Sequence, residues 1–358
     1  MTLATGQHVE LRIERLAAGG AGIAHCNGLA VFVAASAPGD CVRARIVERR
    51  ERFARAEIEE ILEPGRGRRE PPCTYAQRCG GCDWLHLDEE TQLRGRVEIL
   101  RSALARIGRI QHLPEIEVLR SPRALGYRAR ARVAYGDGKV GFRARRSNAI
   151  VDVERCAVLS EETQRELEKL RASRPEGSGE RELRAFASRA AGLRVRPQAF
   201  FQANAALWEA WPRHVGELCG TGALALELYA GVGFFTVELE RRFARVIAVE
   251  GAESARDLAS NTRAQVFCMN VERFARCELA SHAPDVVLLD PPRGGCAPGV
   301  IERLRGRAPR IVYVSCDPAT LARDLAGLAD AYRIARVIVV DAFPQTHHVE
   351  AIALLEFG

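Results

Sequence analysis

Leu226-Glu-Leu-Tyr-Ala-Gly-Val-Gly-Phe-Phe-Thr236 is an apolar run, a glycine turn and the start of a second patterned stretch. That order reads as strand, tight turn, helix. Gly231 and Gly233 let the backbone pass close to a ligand at the helix N-terminus. Downstream, Val246-Ile-Ala-Val-Glu250 reads as a second strand ending in an acid, placed to accept hydrogen bonds from ribose hydroxyls. The turn departs from G-x-G-x-x-G, because Thr236 stands where a third glycine would fall. This favours a nucleoside cofactor without a pyrophosphate, of which S-adenosylmethionine (SAM) is the commonest. An NAD enzyme is the alternative.

Working outward, strand candidates recur at Ala223–Leu228, Val246–Val249, Val286–Leu289, Ile311–Val314 and Val337–Val340, with helical stretches between them. From about residue 196 this is the pattern of a doubly wound α/β sheet. Ligands of such sheets bind beyond the carboxyl ends of the strands. The suggestive polar residues fall there. Asn270, beyond a predicted third strand, is placed to reach an adenine. Three motifs follow: Leu289-Asp-Pro-Pro-Arg-Gly294, Val314-Ser-Cys-Asp-Pro318 and Phe343-Pro-Gln-Thr-His-His-Val-Glu350.

Toward the N-terminus the pattern is different. Val9–Ile13, Ala18–Gly22, Leu29–Val33, Cys41–Val47 and Ala54–Ile61 are short β-like runs separated by glycine turns, which fits a small OB-like β-barrel. A Pro/Gly/Arg linker covers Pro64 to Pro72. A helix is expected from about Asp88 to Ile107, with Leu93, Val97, Leu100 and Leu104 on one face. Residues 116–160 read as β-rich, including Ala129–Tyr135 and Val140–Arg143, and 161–185 as helix and loop. The expected domains are 1–63, a barrel; 64–195, a cysteine-bearing central domain; and 196–358, a catalytic domain.

The chain has 358 residues and a net charge of +6, its cations nearly all arginine, with Lys139 and Lys169 the only lysines. A mild basic excess permits a nucleic-acid partner without requiring one. No apolar run is long enough for a membrane helix, and the charged N-terminal stretch does not read as a signal peptide. A cytoplasmic monomer is expected. Eleven cysteines in such a chain suggest metal binding or catalysis rather than disulfides. Cys73-x5-Cys79-x2-Cys82, with Cys156 downstream, offers four thiolates. Spacing alone leaves zinc and a [4Fe–4S] cluster equally open.

Cys316 stands at a strand end, pinned by Asp317-Pro318. A buried core cysteine is the plain reading, but Ser-Cys-Asp-Pro is not a core-strand sequence. A thiolate there suits one problem well. Carbon 5 of uracil is too weak a nucleophile to attack a sulfonium methyl unaided, and addition of a thiolate to carbon 6 activates it. Glu350 is then a plausible base for the carbon-5 proton, and Asp290 a contact to the base edge or to the amino-acid portion of the cofactor.

With these motifs the sequence resembles the class I RNA uracil-5-methyltransferases, over nearly the whole chain. The resemblance implies a Rossmann-like SAM-dependent methyltransferase domain, an N-terminal TRAM barrel and a small iron–sulfur central domain. It implies Cys316 as nucleophile, Glu350 as base, and Gln202 (in Phe200-Phe-Gln-Ala-Asn204) joining Tyr229, Glu250, Asn270 and Asp290 in the cofactor site. It also implies a [4Fe–4S] cluster on Cys73, Cys79, Cys82 and Cys156. Many relatives carry a polar residue where this chain has Phe234, so one contact to the methionine portion is in doubt.

The implied partner is structured RNA, ribosomal RNA first and transfer RNA second. Tyr127-Arg-Ala-Arg-Ala-Arg132 and Arg66–Arg69 offer a charged surface for it, with Arg128, Arg130 and Arg132 on one strand face; a solvated face is the alternative. Two other functions fit parts of the chain. One is a catalytically inactive RNA-binding protein. The other is an RNA cytosine-5-methyltransferase, although no Pro-Cys motif with a second catalytic cysteine is found. A small-molecule methyltransferase leaves the barrel and the cysteines unexplained.

Overall fold

The computed structural model describes residues 3–251 and 254–358. Its N-terminal runs form β1 (His8–Arg12), β2 (Arg15–Leu16), β3 (Gly22–Cys26), β4 (Leu29–Val33), β5 (Cys41–Arg49) and β6 (Phe53–Glu63). They make one sheet in the order β1-β5-β6-β4-β3-β2. The two edge strands are separated in the chain only by Ile13 and Glu14, so the sheet is rolled until its edges approach. Ile13 N–H donates to the Asp40 carbonyl and extends the β1–β5 ladder, while Glu14 N–H donates to the Ile23 carbonyl and extends β2–β3. Alternation decides the faces: Val42, Ala44 and Ile46 fill the interior, while Arg43 and Arg45 point out to Glu60 and Glu57. The run Ala18–Gly22, read as a strand, is a turn. Gly19 and Gly20 adopt φ of +87° and +88°, a left-handed conformation that reverses the chain before β3 begins.

Next come α1 (Glu89–Arg106), capped by Asp88, and β7 (Ile116–Leu119). A four-stranded sheet follows, built from β8 (Arg130–Gly136), β9 (Lys139–Arg143), β10 (Ile150–Asp152) and β11 (Gly179–Arg184) in the order β10-β9-β8-β11. It is covered by α2 (Glu161–Ala172) through Leu167 and Leu170. Strand β11 lies in the stretch expected to be helix and loop. Only Leu183 of Gly-Glu-Arg-Glu-Leu-Arg is buried, so the segment carries no alternating apolar signal.

The hairpin β12 (Arg189–Ala190) and β13 (Leu193–Arg194) and helix α3 (Ala210–Cys219) lead into the large sheet. Its elements are β14 (Gly222–Leu228), α4 (Thr236–Leu239), β15 (Phe243–Glu250), α5 (Ser254–Asn261), β16 (Gln265–Cys268) and α6 (Val271–Cys277). They continue through β17 (Val286–Leu289), α7 (Pro298–Leu304), β18 (Arg310–Ser315), α8 (Pro318–Leu328), β19 (Tyr332–Val340) and β20 (Glu350–Phe357). The strand order is β16-β15-β14-β17-β18-β20-β19-β7. The pairs from β16 to β18 are parallel, whereas β20 runs antiparallel to both β18 and β19. Apolar residues fill both faces. Leu226, Leu228 and Val287 face one core, and Ala225, Val246 and Leu288 face the other.

Part of the stretch 64–195 belongs to this large sheet. β7 extends its edge alongside β19, and α1 packs Leu100 and Leu104 into the first core. The barrel is docked too, with Leu16 buried in that same core. Trp84 Nε1 donates to the Gly20 carbonyl at 2.9 Å, and Arg68 pairs with buried Asp40. Arg68 therefore serves as an internal strut and not as part of the charged surface read into Arg66–Arg69.

The junction is tight at Gly20, where an added Cβ would lie 2.2 Å from Asp83 Oδ2 and 3.2 Å from His347 Cβ. Gly20→Ala meets this clash and an unfavourable backbone conformation together. It is expected to lower stability by about 2 kcal/mol, read as a fall in Tm relative to Gly6→Ala, where a Cβ at positive φ meets nothing within 4 Å.

Candidate active site

Strand order puts the candidate residues in a row. In register, Leu228 pairs with Val249 on one side and Leu289 on the other, so Tyr229, Glu250 and Asp290 emerge side by side at the carboxyl edge. Glu250 is level with Cys268, two residues before Asn270. Leu289 is level with Tyr313, and Ser315 pairs with Ala351. Extending that antiparallel register by one step places Cys316 opposite Glu350. The row along the edge is therefore Asn270, Glu250, Tyr229, Asp290, Cys316, Glu350, with neighbouring strands roughly 5 Å apart. Its order differs from the order in the chain.

All six line one cavity of about 1530 Å³, and Gln202 lines it as well. Tyr229 holds φ +65° without being glycine, which costs about 1–2 kcal/mol. Gly231 N–H donates to Glu250 Oε2 at 2.8 Å. A Cβ at Gly231 would meet nothing within 4 Å, so the turn borders open space. At Gly233, by contrast, a Cβ would lie 2.9 Å from Thr262 Cγ2, so glycine there serves the packing of α5. Asn270 Oδ1 accepts from Arg273 N–H at 2.8 Å and caps α6.

At the other end of the row, Asp317 caps α8 through the Ala319 and Thr320 N–H groups, both at 2.9 Å. Cys316 is thus held between a strand end and a helix N-terminus. The acids crowd one another. Burial and then Glu250 push Asp290 up to about 7. Burial and then Asp290 push Glu350 up to about 8, with Arg293 opposing. Burial, then Glu350 and Asp290, push the Cys316 thiol up to about 11. A cation bound among them relieves each carboxylate.

Comparison with known proteins now bears on this geometry. Residues 181–357 match the tRNA (uracil-5-)-methyltransferase family model, and residues 3–58 match the TRAM domain. The 23S rRNA (uracil(1939)-C(5))-methyltransferase RlmD of Pseudomonas putida is 35% identical, the match covering 99% of this chain and 94% of that protein. An uncharacterized RNA methyltransferase of Bdellovibrio bacteriovorus is 33% identical over 98% of this chain and 95% of its own. The chain belongs to the RNA uracil-C5-methyltransferase family. The crystal structure of Pyrococcus abyssi tRNA (uracil-54, C5)-methyltransferase with S-adenosyl-L-homocysteine matches 97% of this chain and all of that one, with a TM-score of 0.74 at 25% identity. The fold is thus that of a SAM-dependent RNA methyltransferase.

In this methyltransferase Cys73, Cys79, Cys82 and Cys156 line the same cavity as the row. Burial raises the Cys82 thiol, and Cys156, Cys79 and Cys73 add to the effect, so the four sense one another. Among the described residues no three Cys, His, Asp or Glu side chains are grouped to hold a metal ion. Phe234 turns away from the cavity, packing edge-on against Phe201, Trp211 and Phe235. It does not line the cavity. Tyr127, read as part of an RNA-facing strand, is 1% exposed. Arg128, Arg130 and Arg132 do line the cavity. Arg130 and Arg132 are tied to Glu182 and Glu180, while Arg128 and Arg293 carry no ion pair among the described residues.

Sequence reasoning missed the supports of the site. Tyr313 donates to Asp324 Oδ2 at 2.6 Å, and Cys296 N–H to the same oxygen at 2.8 Å, anchoring the loop after Asp290 from α8. It also missed Glu227, fully buried beneath the glycine turn, whose carboxylate oxygens lack a well-aligned hydrogen bond. Burial, only partly offset by the Thr236 hydroxyl, pushes Glu227 from its ordinary 4.5 up to about 8. A raised folded-state pKa contributes stability at low pH that is lost as pH climbs from about 4.5 to about 8. Glu227→Gln removes this loss. The Tm of the variant relative to the wild type is expected to rise across that interval and then level off.

Proposed function

We propose that this methyltransferase transfers the methyl group of SAM to carbon 5 of one unpaired or flipped uridine in ribosomal RNA, with Cys316 as covalent nucleophile and Glu350 as base. The register that sets Cys316 opposite Glu350, next to Asp290, carries the reading. Ribosomal RNA is preferred because the relative matched along nearly the whole chain at 35% identity is named for 23S rRNA. A base inside a stem cannot reach this edge and must leave the stack.

The open space at Gly231 and the crowded acids fit a cationic nucleoside. Glu250, one oxygen held by Gly231, keeps the other for ribose hydroxyls. Asn270, its oxygen committed to the α6 cap, offers N–H to the adenine, and Gln202, Tyr229 and Asp290 complete the site. Bound there, SAM supplies a methyl group on a positively charged sulfur. The Cys316 thiolate adds to carbon 6, and the π electrons of the carbon 5–carbon 6 bond move toward carbon 5 and the carbon-4 oxygen. Once carbon 5 is methylated, Glu350 takes its proton, the double bond re-forms and the sulfur–carbon bond breaks. Burial pushes the Glu350 carboxyl up to about 8, which makes its ionised form a stronger base toward that proton. The thiol must first lose its own, and the N-terminus of α8 beside it favours the thiolate. Unpaired Arg128 and Arg293 suit flanking phosphates. Phe200, 66% exposed under the Arg130 guanidinium, offers a face on which a base can stack. One chain supplies every residue of the row, so the proposed chemistry needs no partner subunit and fits a monomer. No described helix is long and apolar enough to cross a membrane, and a ribosomal substrate fits a cytoplasmic enzyme.

The same reading assigns Cys73, Cys79, Cys82 and Cys156 to a [4Fe–4S] cluster. Four thiols that line one cavity supply the donor set of a cube in which each iron takes one thiolate, and the resemblance to the family favours this over a tetrahedral zinc on the same residues. Such a cluster would cross-link the 73–82 loop to Cys156. Anaerobic purification is expected to yield a brown protein with about four irons per chain; a colourless protein with stoichiometric zinc overturns the assignment.

RNA carrying 5-fluorouridine tests the chemistry, because fluorine at carbon 5 cannot leave as a proton. The wild type is expected to form a covalent complex that survives denaturing electrophoresis, and Cys316→Ala to form none. Glu350→Gln is expected to accumulate the adduct on ordinary uridine. A wild type that traps nothing sinks the proposal in favour of an inactive RNA-binding protein.

A further inference from the structure

No hydrogen bond holds the Glu350 carboxylate among the described residues, so its placement is inherited from the backbone that delivers it. That backbone is the loop 341–349, without regular structure, between β19 and β20. Resting on the reading of Glu350 as base, we propose that Gln345 is a positioning residue, through which the segment 69–127 sets this loop and completes the active site.

Gln345 is wholly buried and left-handed, with φ +70°. Every polar group it has is engaged from that segment. Its N–H donates to Gln92 Oε1 at 2.8 Å, and its carbonyl accepts from Trp84 N–H at 3.0 Å. Its side-chain oxygen accepts from Arg69 at 2.8 Å and Gln92 at 3.0 Å. Its side-chain nitrogen donates to the Ala124 carbonyl at 3.2 Å.

The flanking residues are clamped from the same side. Arg96, 1% exposed beside the Trp84 ring, donates to Asp341 Oδ1 at 3.0 Å and to the carbonyls of Phe343 at 3.0 Å and Thr346 at 2.9 Å. The Tyr127 hydroxyl donates to the Pro344 carbonyl at 2.9 Å. Asp83 accepts from His347 N–H at 3.1 Å and meets its Nδ1 at 2.5 Å. A non-glycine residue keeps a left-handed backbone only where its surroundings over-determine it. Here they do, and the base-bearing loop is the beneficiary. The stretch matched by the catalytic family model begins at residue 181, yet all of these donors and acceptors lie before it.

The test uses full-length Gln345→Ala, Arg96→Lys and Asp83→Asn with unmodified substrate RNA. A lysine cannot span three acceptors in the plane of a guanidinium. A loop displaced by about 1 Å is expected to slow adduct breakdown roughly 100-fold, while SAM affinity measured by calorimetry stays within about twofold. Covalent protein–RNA complex then accumulates on ordinary uridine, as a merely destabilised protein would not show. If Gln345→Ala fails to fold, Asp83→Asn, at the edge of the clamp, carries the same measurement. Unchanged turnover, or turnover lost without adduct or together with SAM affinity, overturns the proposal. Glu350→Gln separates the two readings. If it accumulates adduct and the clamp variants do not, positioning alone fails; if it does not, the base assignment has failed first.

Discussion

One strand runs against its neighbours, and the site depends on it. β20 inserts antiparallel between β18 and β19, so its first residue, Glu350, arrives at the edge where parallel strands present their last. In a parallel arrangement the loop before that strand would open on the opposite edge, away from Cys316. Because side chains alternate along a strand, a slip of one residue would also turn Glu350 to the other face. The pairing of Ser315 with Ala351 therefore fixes a distance and a facing at once.

A second constraint is electrostatic. Asp290, Glu250 and Glu350 share a corner with a thiol, and burial raises all four of these groups. A cation bound at this corner would favour the ionised form of each group. The barrel and the cysteine-bearing segment add a mechanical layer. Asp83 and Trp84 follow Cys82 directly and reach the loop 341–349 at His347 and Gln345. Whatever holds Cys82 therefore bears on the loop that precedes Glu350.

Much of this was legible in the chain. The five strand candidates of the catalytic half, the helix from Asp88 and the barrel runs at Leu29, Cys41 and Ala54 carry strong periodicity, and they fold as read. Weak patterns misled. Ala18–Gly22 has apolar residues but two left-handed glycines, and the charged β11 gains its place only by pairing with β8. Tyr127 and Arg68 read as surface because tyrosine and arginine usually are. Tyr127 is buried and Arg68 half-buried here because a partner far along the chain satisfies the polar end of each. Phe234 packs into an aromatic cluster that is invisible in one dimension, and it does not line the cavity.

By itself the sequence determined the chemistry on offer: a thiol, two carboxylates and an amide at or just past the ends of apolar runs, and so at the ligand-facing edge of a sheet, and a third carboxylate, Glu350, just before such a run. Local pattern suffices for that, since strand, turn and helix are decided within a few residues. Only the tertiary structure decided the order of those groups along the edge, because strand order permutes the chain and puts β14 between β15 and β17. It alone decided that Glu350 faces Cys316, and that Gln345 is held by residues some 250 positions earlier. Hydrogen bonds across such separations leave no periodic trace, since the two partners answer to each other and not to their neighbours in the chain.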